Sequence, residues 1–353
     1  MTRAAGSNAV LTVKQEQVWG TPYADDAVIR IVGLKNESLK SSKNNFESDM
    51  INAYRCTIGL GDGNKAVEGN IVSDLIPEGL ELFFLHLLGN PKTGGLNPTL
   101  VTSGSAPNYT HVLKGSPGFF QGLTIQKEFP DIDKFLIYKG CRVNSMAISL
   151  VQEGLHEITF GFIGKEEAIA DADGMGTGTP AASTISGFTG YQCVISTTMK
   201  TTDGTIDTSG TLDDDGDANY HPLGFVTAGN INIANNIETD GYVLGSAFRA
   251  SAQYGKRACS GDFTVFFEND YLYKLYSAGT ICGVKFMFNN GLGQKLSFKF
   301  PSCKLSGTAP EIASFQGLNL PLTFNAKYDE TALTDVIVTI VNTLASIEAG
   351  TEV

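Results

Sequence analysis

The sequence has few cationic side chains, one tryptophan, four histidines, no closely spaced cysteines and no long apolar run, and each shortage excludes something. Lys and Arg total 25 against 37 Asp and Glu, a net charge of −12. Without a cationic surplus there is little to displace counterions from phosphates, which argues against a nucleic-acid reader while leaving a nucleic-acid conduit open. No segment approaches the roughly 18 apolar residues of a spanning helix. The opening "MTRAAGSNAVLTVKQEQVWGTP" holds no signal-peptide run, so a soluble protein made in the cytoplasm is expected. Cys56, Cys141, Cys193, Cys259, Cys282 and Cys303 contain no CxxC pair, and their expected role is that of small buried hydrophobes kept reduced.

Catalytic and ligand-binding signatures are equally thin. His86, His111, His156 and His221 share no metal-ligand spacing, and His86 falls inside an apolar helical pattern where packing is its expected role. Asp213, Asp214, Asp215 and Asp217 surround Gly216, but the glutamate that closes a calcium loop is missing, so they read as a solvated acidic turn. "GLGDGNKA" from Gly59 lacks the spacing and the Ser/Thr of a phosphate loop. Glu166 and Glu167 are neighbours on a strand and point to opposite faces, so they cannot act on one bond. Neither a GxSxG elbow nor an HExxH helix occurs. The expectation is a protein that is not an enzyme and carries no cofactor and no metal.

What is present in quantity is turn and strand chemistry. Forty glycines punctuate short Val/Ile/Phe/Thr runs, as in a mainly β fold, and 353 residues at 42% hydrophobic content suffice for about two domains. The stretch "NNFESD" (Asn44 to Asp49) returns 191 residues later as "NNIETD" (Asn235 to Asp240). Further matches follow in order, with Gly63, Ala66 and Gly69 answering Gly255, Ala258 and Gly261. "PEGLELFFLHLLG" ends at Gly89 as "NDYLYKLYSAG" ends at Gly279; Pro77 suits a first helical turn, Asn269 or Asp270 an N-cap, and each Gly the left-handed closing position. "GLTIQKEF" from Gly122 answers "GVKFMFNN" from Gly283, and the stretch from Cys141 answers the one from Cys303, each closing on a period-two strand.

The expected fold is therefore mainly β, a sandwich or barrel built as two tandem repeats with one short α-helix in each. Residues 1–28 form an N-terminal arm, 29–170 the first β domain and 171–221 a Gly/Asp/Thr-rich connector with exposed strands such as "YQCVIST" from Tyr191. Residues 222–343 form the second β domain and 344–353 a C-terminal tail. An insertion from Asn90 to Gly118 has no counterpart after Gly279.

The ordered series "AVLTVKQEQVWGTP", "ESLK", "GNKAVEGNIVSDLIPEGLELFFLHLLG", "GCRVNSMAISLVQEGLHEITFGFIGK" and "SGDFTVFFENDYLYKLYSAG" resembles the major tail tube proteins of long-tailed, siphovirus-type bacteriophages. The resemblance spans most of the chain except the connector. It implies a tail-tube-like β fold in a structural virion protein, synthesised in the host bacterial cytoplasm, whose copies form rings stacked into the tube that conducts DNA during ejection. Its partners would be copies of itself and other tail proteins (terminator, tape measure, distal tail), with viral DNA passing without tight binding and no membrane involved. It also implies that the long loop after the first strand of each unit reaches the neighbouring ring. Asn44, Asn45, Glu47, Asp49 and Lys65, with Asn235, Asn236, Glu238, Asp240 and Arg257, are the inter-ring contacts so expected. Since family rings are commonly six-fold, a chain of two units implies a trimer mimicking a hexamer. The competing readings are an exported carbohydrate-binding or adhesin-like β-sandwich, a tail terminator and a capsid decoration protein. The single tryptophan and the missing export signal weigh against the first.

Overall fold

Successive residues of a strand face opposite sides, so Leu320, Leu322 and Phe324 point one way while Asn319, Pro321 and Thr323 point the other. The first set is buried and the second exposed, and the same alternation recurs in strand after strand. The computed structural model of the chain describes residues 3–22, 30–31, 34–51, 54, 56–89, 100–105, 107–119, 121–175, 187–198, 219–268, 270–310, 312 and 317–344. The Asp213–Asp217 turn lies outside these residues, as do Asn269 and the first part of the Asn90–Gly118 insertion.

The architecture is mainly β with two helices. The first half holds β1 (Val10–Val18), β2 (Thr21–Pro22), β3 (Arg30–Ile31), β4 (Asn36–Glu37), β5 (Lys40–Glu47), β6 (Leu60–Asp74) and α1 (Glu81–Leu88). It continues with β7 (Leu100–Ser105), β8 (Asn108–Lys114), β9 (Leu123–Phe129), β10 (Lys134–Leu150), β11 (Glu157–Gly164) and β12 (Glu166–Ala170). After β13 (Cys193–Thr198) and β14 (Tyr220–Pro222) come β15 (Val226–Ala234), β16 (Ala258–Phe266), α2 (Tyr271–Ser277), β17 (Ile281–Asn289), β18 (Lys295–Gly307), β19 (Asn319–Ala326) and β20 (Ile337–Asn342).

One antiparallel row of eight strands runs β5–β6–β11–β10–β15–β16–β19–β18. Strand β10 is 17 residues long and outlasts any single partner. Its first half pairs with β9 and β12, its second with β11 and β15. Strand β18 repeats the arrangement with β17 and β20 on its first half and β19 on its second. On the inner side of the row, Phe160, Phe162, Ile231, Phe263, Leu322 and Phe324 belong to one hydrophobic cluster. Helix α1 sits in that cluster with all eight residues buried; the ring of Phe84 lies 5.5 Å from Phe160 and 5.7 Å from Phe298, touching both halves of the chain.

Both closing glycines have a positive φ, +102° at Gly89 and +62° at Gly279; Gly89, with ψ 173°, is extended and not left-handed helical, and a Cβ there would fall 2.3 Å from the Gly118 carbonyl oxygen.

Several expectations need correction. Helix α1 starts at Glu81, so Pro77 precedes it instead of lying in its first turn. Gly283 lies inside β17 and not at its start, in a space so tight that a Cβ would come 2.3 Å from the Tyr220 hydroxyl. The "YQCVIST" strand is not exposed: Ile195 to Thr198 are buried, because β13 pairs with β17 as β1 pairs with β9. The described part of the Asn90–Gly118 insertion is a hairpin whose β8 pairs with β20, so it widens the sheet of the second half. Cys141, Cys259, Cys282 and Cys303 are buried and Cys193 half-buried, but Cys56 is exposed. The hexapeptide alignment is one residue out: Ser42 pairs with Ala66 and Ala234 with Ala258, which sets Asn44 against Asn236 and leaves Asn235 at the place of Lys43.

Candidate assembly interface

The two halves of the chain meet along β10 and β15, paired from Ser145↔Ala234 to Leu150↔Gly229. Polar side chains lock the end of this joint. The Asn235 amide donates to the carbonyls of Leu87 and Val143, both at 2.9 Å, and Asn144 Oδ1 accepts from the Ile237 N–H at 2.8 Å. Arg257 donates to the Leu88 carbonyl at the end of α1, where the helix dipole is negative, and closes a two-pronged pair with Asp335. Asn235 and Arg257, expected to face another ring, are thus spent inside the chain. Asn235 is only 4% exposed.

From Asn236, left-handed at φ +49°, the second long loop turns away from its own strands and lies across the first half. Lys65 N–H donates to the Ala247 carbonyl at 2.8 Å, and the Tyr242 hydroxyl donates to the Lys65 carbonyl at 2.9 Å. Its anchor is Arg249, whose side chain is 1% exposed. The guanidinium donates to the carbonyls of Val67 (3.1 Å), Gly164 (2.9 Å) and Thr239 (3.0 Å) and pairs with Glu68. Burying a guanidinium is tolerable only when its fixed fork of donors is satisfied in this way. The Lys65 ammonium also lies 5.2 Å from the Phe248 ring.

The first long loop does something else. The β5–β6 ladder continues past an irregularity between Lys43 and Asn45 to Glu47↔Leu60, carrying an arm on which Phe46, Met50, Ile51, Tyr54, Ile58 and Leu60 are all exposed. Asn44, Asn45, Glu47 and Asp49 are exposed here, as Asn236, Glu238 and Asp240 are on the second loop, while Lys65 is half-buried under Tyr242 and Phe248. Arg249 escaped the sequence reading because a lone arginine in a loop looks solvated. Its available signal is the triplet Ala247-Phe248-Arg249, which matches Ala53-Tyr54-Arg55.

Two further features complete the surface. The uncovered side of the eight-strand row carries short polar residues, among them Ser42, Asn70, Thr159, Ser149, Asn232, Ser260, Thr323 and Ser306. Among its charges, Asp262 is held by the Asn230 amide at 3.1 Å. The row also has two unextended edges. Among the described residues no strand pairs with β18 beyond Lys304 on the side that β17 occupies, and β4 and β5 pair only with β6.

Chemically reactive groups are muted. Burial pushes the Cys193 thiol up to about 12 and raises those of Cys141, Cys259 and Cys303, which suppresses the nucleophilic thiolate. Burial, with a smaller contribution from Arg142, pushes His86 down to about 3. Among the described residues no cluster of three or more His, Cys, Asp or Glu is placed to hold a metal ion, and no helix is long and apolar enough to cross a membrane.

Compared with known families, residues 6–326 match the family model described as phage tail tube protein. No curated protein matches the chain.

Proposed function

The chain belongs to the phage tail tube proteins, and from that membership we propose that three copies join head to tail into a ring equivalent to six units, which stacks into the tube that conducts DNA. The observation that carries this reading is the β10–β15 joint. It continues one unit's strands into the next without a break, while the outer edges of the same row stay unextended. A row with open edges at both ends is satisfied by head-to-tail closure, in which the second unit of one chain meets the first unit of the next.

The joint within the chain also supplies a register for the joint between chains. Cys141 and Cys303 hold matching places opposite Leu123 and Cys282, and β10 has one extra residue at its irregularity between Val143 and Ser145. Ser306 then takes the place of Ser145, and Ser42 that of Ala234. In the ring, Ser306 of one chain lies opposite Ser42 of the next, with the strands antiparallel as in β10–β15.

The polar side of the row faces the lumen in this reading. Ser, Thr and Asn offer DNA short neutral contacts, and a net charge of −12 gives no cationic surplus to hold it. The exposed residues Asn44, Asn45, Glu47, Asp49, Asn236, Glu238 and Asp240 make the polar rim that meets the next ring, with the terminator, tape measure and distal tail proteins as further partners of the tube. Native mass measurement of isolated discs with end-on symmetry averaging tests the ring. Three chains per disc are expected, and six chains with six-fold symmetry would overturn the pseudo-hexamer.

A further inference from the structure

At the end of the β6–β11 ladder three residues bond one another through their backbones in a closed triangle. Beyond the last pair, Glu157↔Asp74, the Leu75 N–H donates to the His156 carbonyl (2.8 Å), the His156 N–H to the Phe188 carbonyl (2.9 Å) and the Phe188 N–H to the Leu75 carbonyl (2.8 Å). All three residues are at most 1% exposed, and the Phe188 ring lies 5.7 Å from Phe288. Phe188 comes from just before β13, the strand that pairs with β17 in the second half, so the second half closes the end of the first. The second half repeats only one side of this triangle. Its β16–β19 ladder ends at Phe266↔Asn319, matching Asp74↔Glu157, and the Phe267 N–H donates to the Leu318 carbonyl at 2.9 Å. Phe267 thus holds the place of Leu75, and Leu318 that of His156. Among the described residues no third one bonds the Phe267 carbonyl and the Leu318 N–H, and both residues are only half-buried.

The residue that matches Phe188 is Ala4. Thr197 opposite Val284 corresponds to Val13 opposite Ile125, because Val284 and Ile125 hold equal places beside β18 and β10. Counting back, the 3-10 turn Gly190–Gln192 before β13 falls on the 3-10 turn Gly6–Asn8 before β1, and Phe188 falls on Ala4. Resting on the ring reading, we infer that Ala4 of each chain completes the triangle on the preceding chain, its N–H donating to the Phe267 carbonyl and its carbonyl accepting from the Leu318 N–H. Phe129, at the place of Phe288, then lies against Leu318 as Phe288 lies 5.3 Å from His156. The occupant is a second copy because the first half's site is filled by the run leading into the following unit, and after the second half the following unit is the first of another chain. Exposure agrees: Phe288 is fully buried, whereas Phe129 is half-buried. The segment is also held ready. Asp131 accepts from the Ala5 N–H and from the Asn8 amide, both at 2.8 Å, which fixes the turn against its own unit, while Ala4 makes no backbone hydrogen bond to another described residue. An alanine can stand where Phe188 stands because the contact is made by main-chain groups, as when a strand is added to a sheet.

The test uses the full chain as isolated discs, with benzoylphenylalanine replacing Ala4. Illumination is expected to join two chains, with the attachment mapping to residues 267–268 or 317–320. Discs that form normally but give attachments only within one chain, or elsewhere on the neighbour, would overturn the contact and leave the ring reading intact. Amide exchange of the unsubstituted chain provides a second measure. The Leu318 N–H is expected to exchange about tenfold or more slowly in discs than in the free chain, while the His156 N–H is protected in both. Equal exchange of Leu318 in discs and free chain would again overturn the contact. If the parent chain itself makes neither discs nor tubes, both readings fall together.

Discussion

Helix α1 is buried on every residue, whereas α2 buries only Leu272 and Leu275 and leaves Tyr271, Tyr273 and Tyr276 partly covered. Counted back from the closing glycines, the two helices occupy equivalent places, and His86 falls where Tyr276 does. The difference follows from position in the chain. Helix α1 lies at the joint, capped by Asn235 and Arg257 from the second half and packed against Phe298. Helix α2 lies against β18, at the outer edge of the row, where no described strand pairs beyond Lys304 on the β17 side. A helix written Tyr-Leu-Tyr-Lys-Leu-Tyr-Ser is suited to being half wet in the free chain and covered in an assembly, since tyrosine presents an apolar ring and a polar tip.

The largest expected effect comes from breaking the joint that only α2's side needs. Ser38 N–H donates to the Asn70 carbonyl, so the alternate residues Leu39 and Ser41 turn their N–H groups away from β6, and that of Leu39 donates to Glu37 instead. Ser41→Pro therefore leaves the free chain folded, as proline is tolerated on an edge strand. It removes a donor from the proposed joint between chains, and sedimentation is expected to show monomer for the variant and discs for the parent. Next in size is the contrast between the helices. Phe84→Ala is expected to cost about 3–5 kcal/mol in denaturant unfolding of the free chain, as for other buried Phe→Ala changes, while Tyr276→Ala costs about 1 kcal/mol or less. Equal costs would erase the distinction drawn between joint and open end.

The smallest effect concerns pH. His86 has its folded pKa pushed down to about 3 from an ordinary 6.5, so between those values the unfolded chain binds a proton that the folded chain refuses. Stability is then highest above pH 6.5 and falls with acidification by about 1.4 kcal/mol per pH unit. Denaturant midpoints at pH 7, 6 and 5 are expected to fall accordingly in the parent and to fall less in His86→Leu. Burial lowers His156 as well, so part of the fall persists in His86→Leu, and the difference between parent and variant is what reads His86.

Much of the strand and helix content was legible because it depends on local pattern. Period-two alternation marks β11 and β19, and a glycine after an apolar run marks the end of each helix. The matched Gly69 and Gly261 were legible too, and they hold matching places in their ladders. What stayed hidden was set by partners distant in sequence. Alternation tells which residues of β10 face the core but not that four strands share it, and a Gly/Thr-rich connector reads as exposed until β17 is seen beside β13. The two long loops read alike, being polar and equally long, yet one is held down by Arg249 and the other projects. Among the contact residues, Asn235 and Arg257 were chosen for polarity, and polarity alone does not distinguish a side chain meant for a partner from one that ties up buried carbonyls.

The β10–β15 joint has a kinetic consequence as well. Because it forms within one chain, it costs no translational or rotational freedom, whereas each contact between separate chains costs on the order of 4–15 kcal/mol before any gain appears. Bringing three such chains into a ring takes two associations between separate molecules, where six single units take five. Fusing the units thus shifts half of the closure into folding itself, and leaves the concentration of free chains to control only the remaining half.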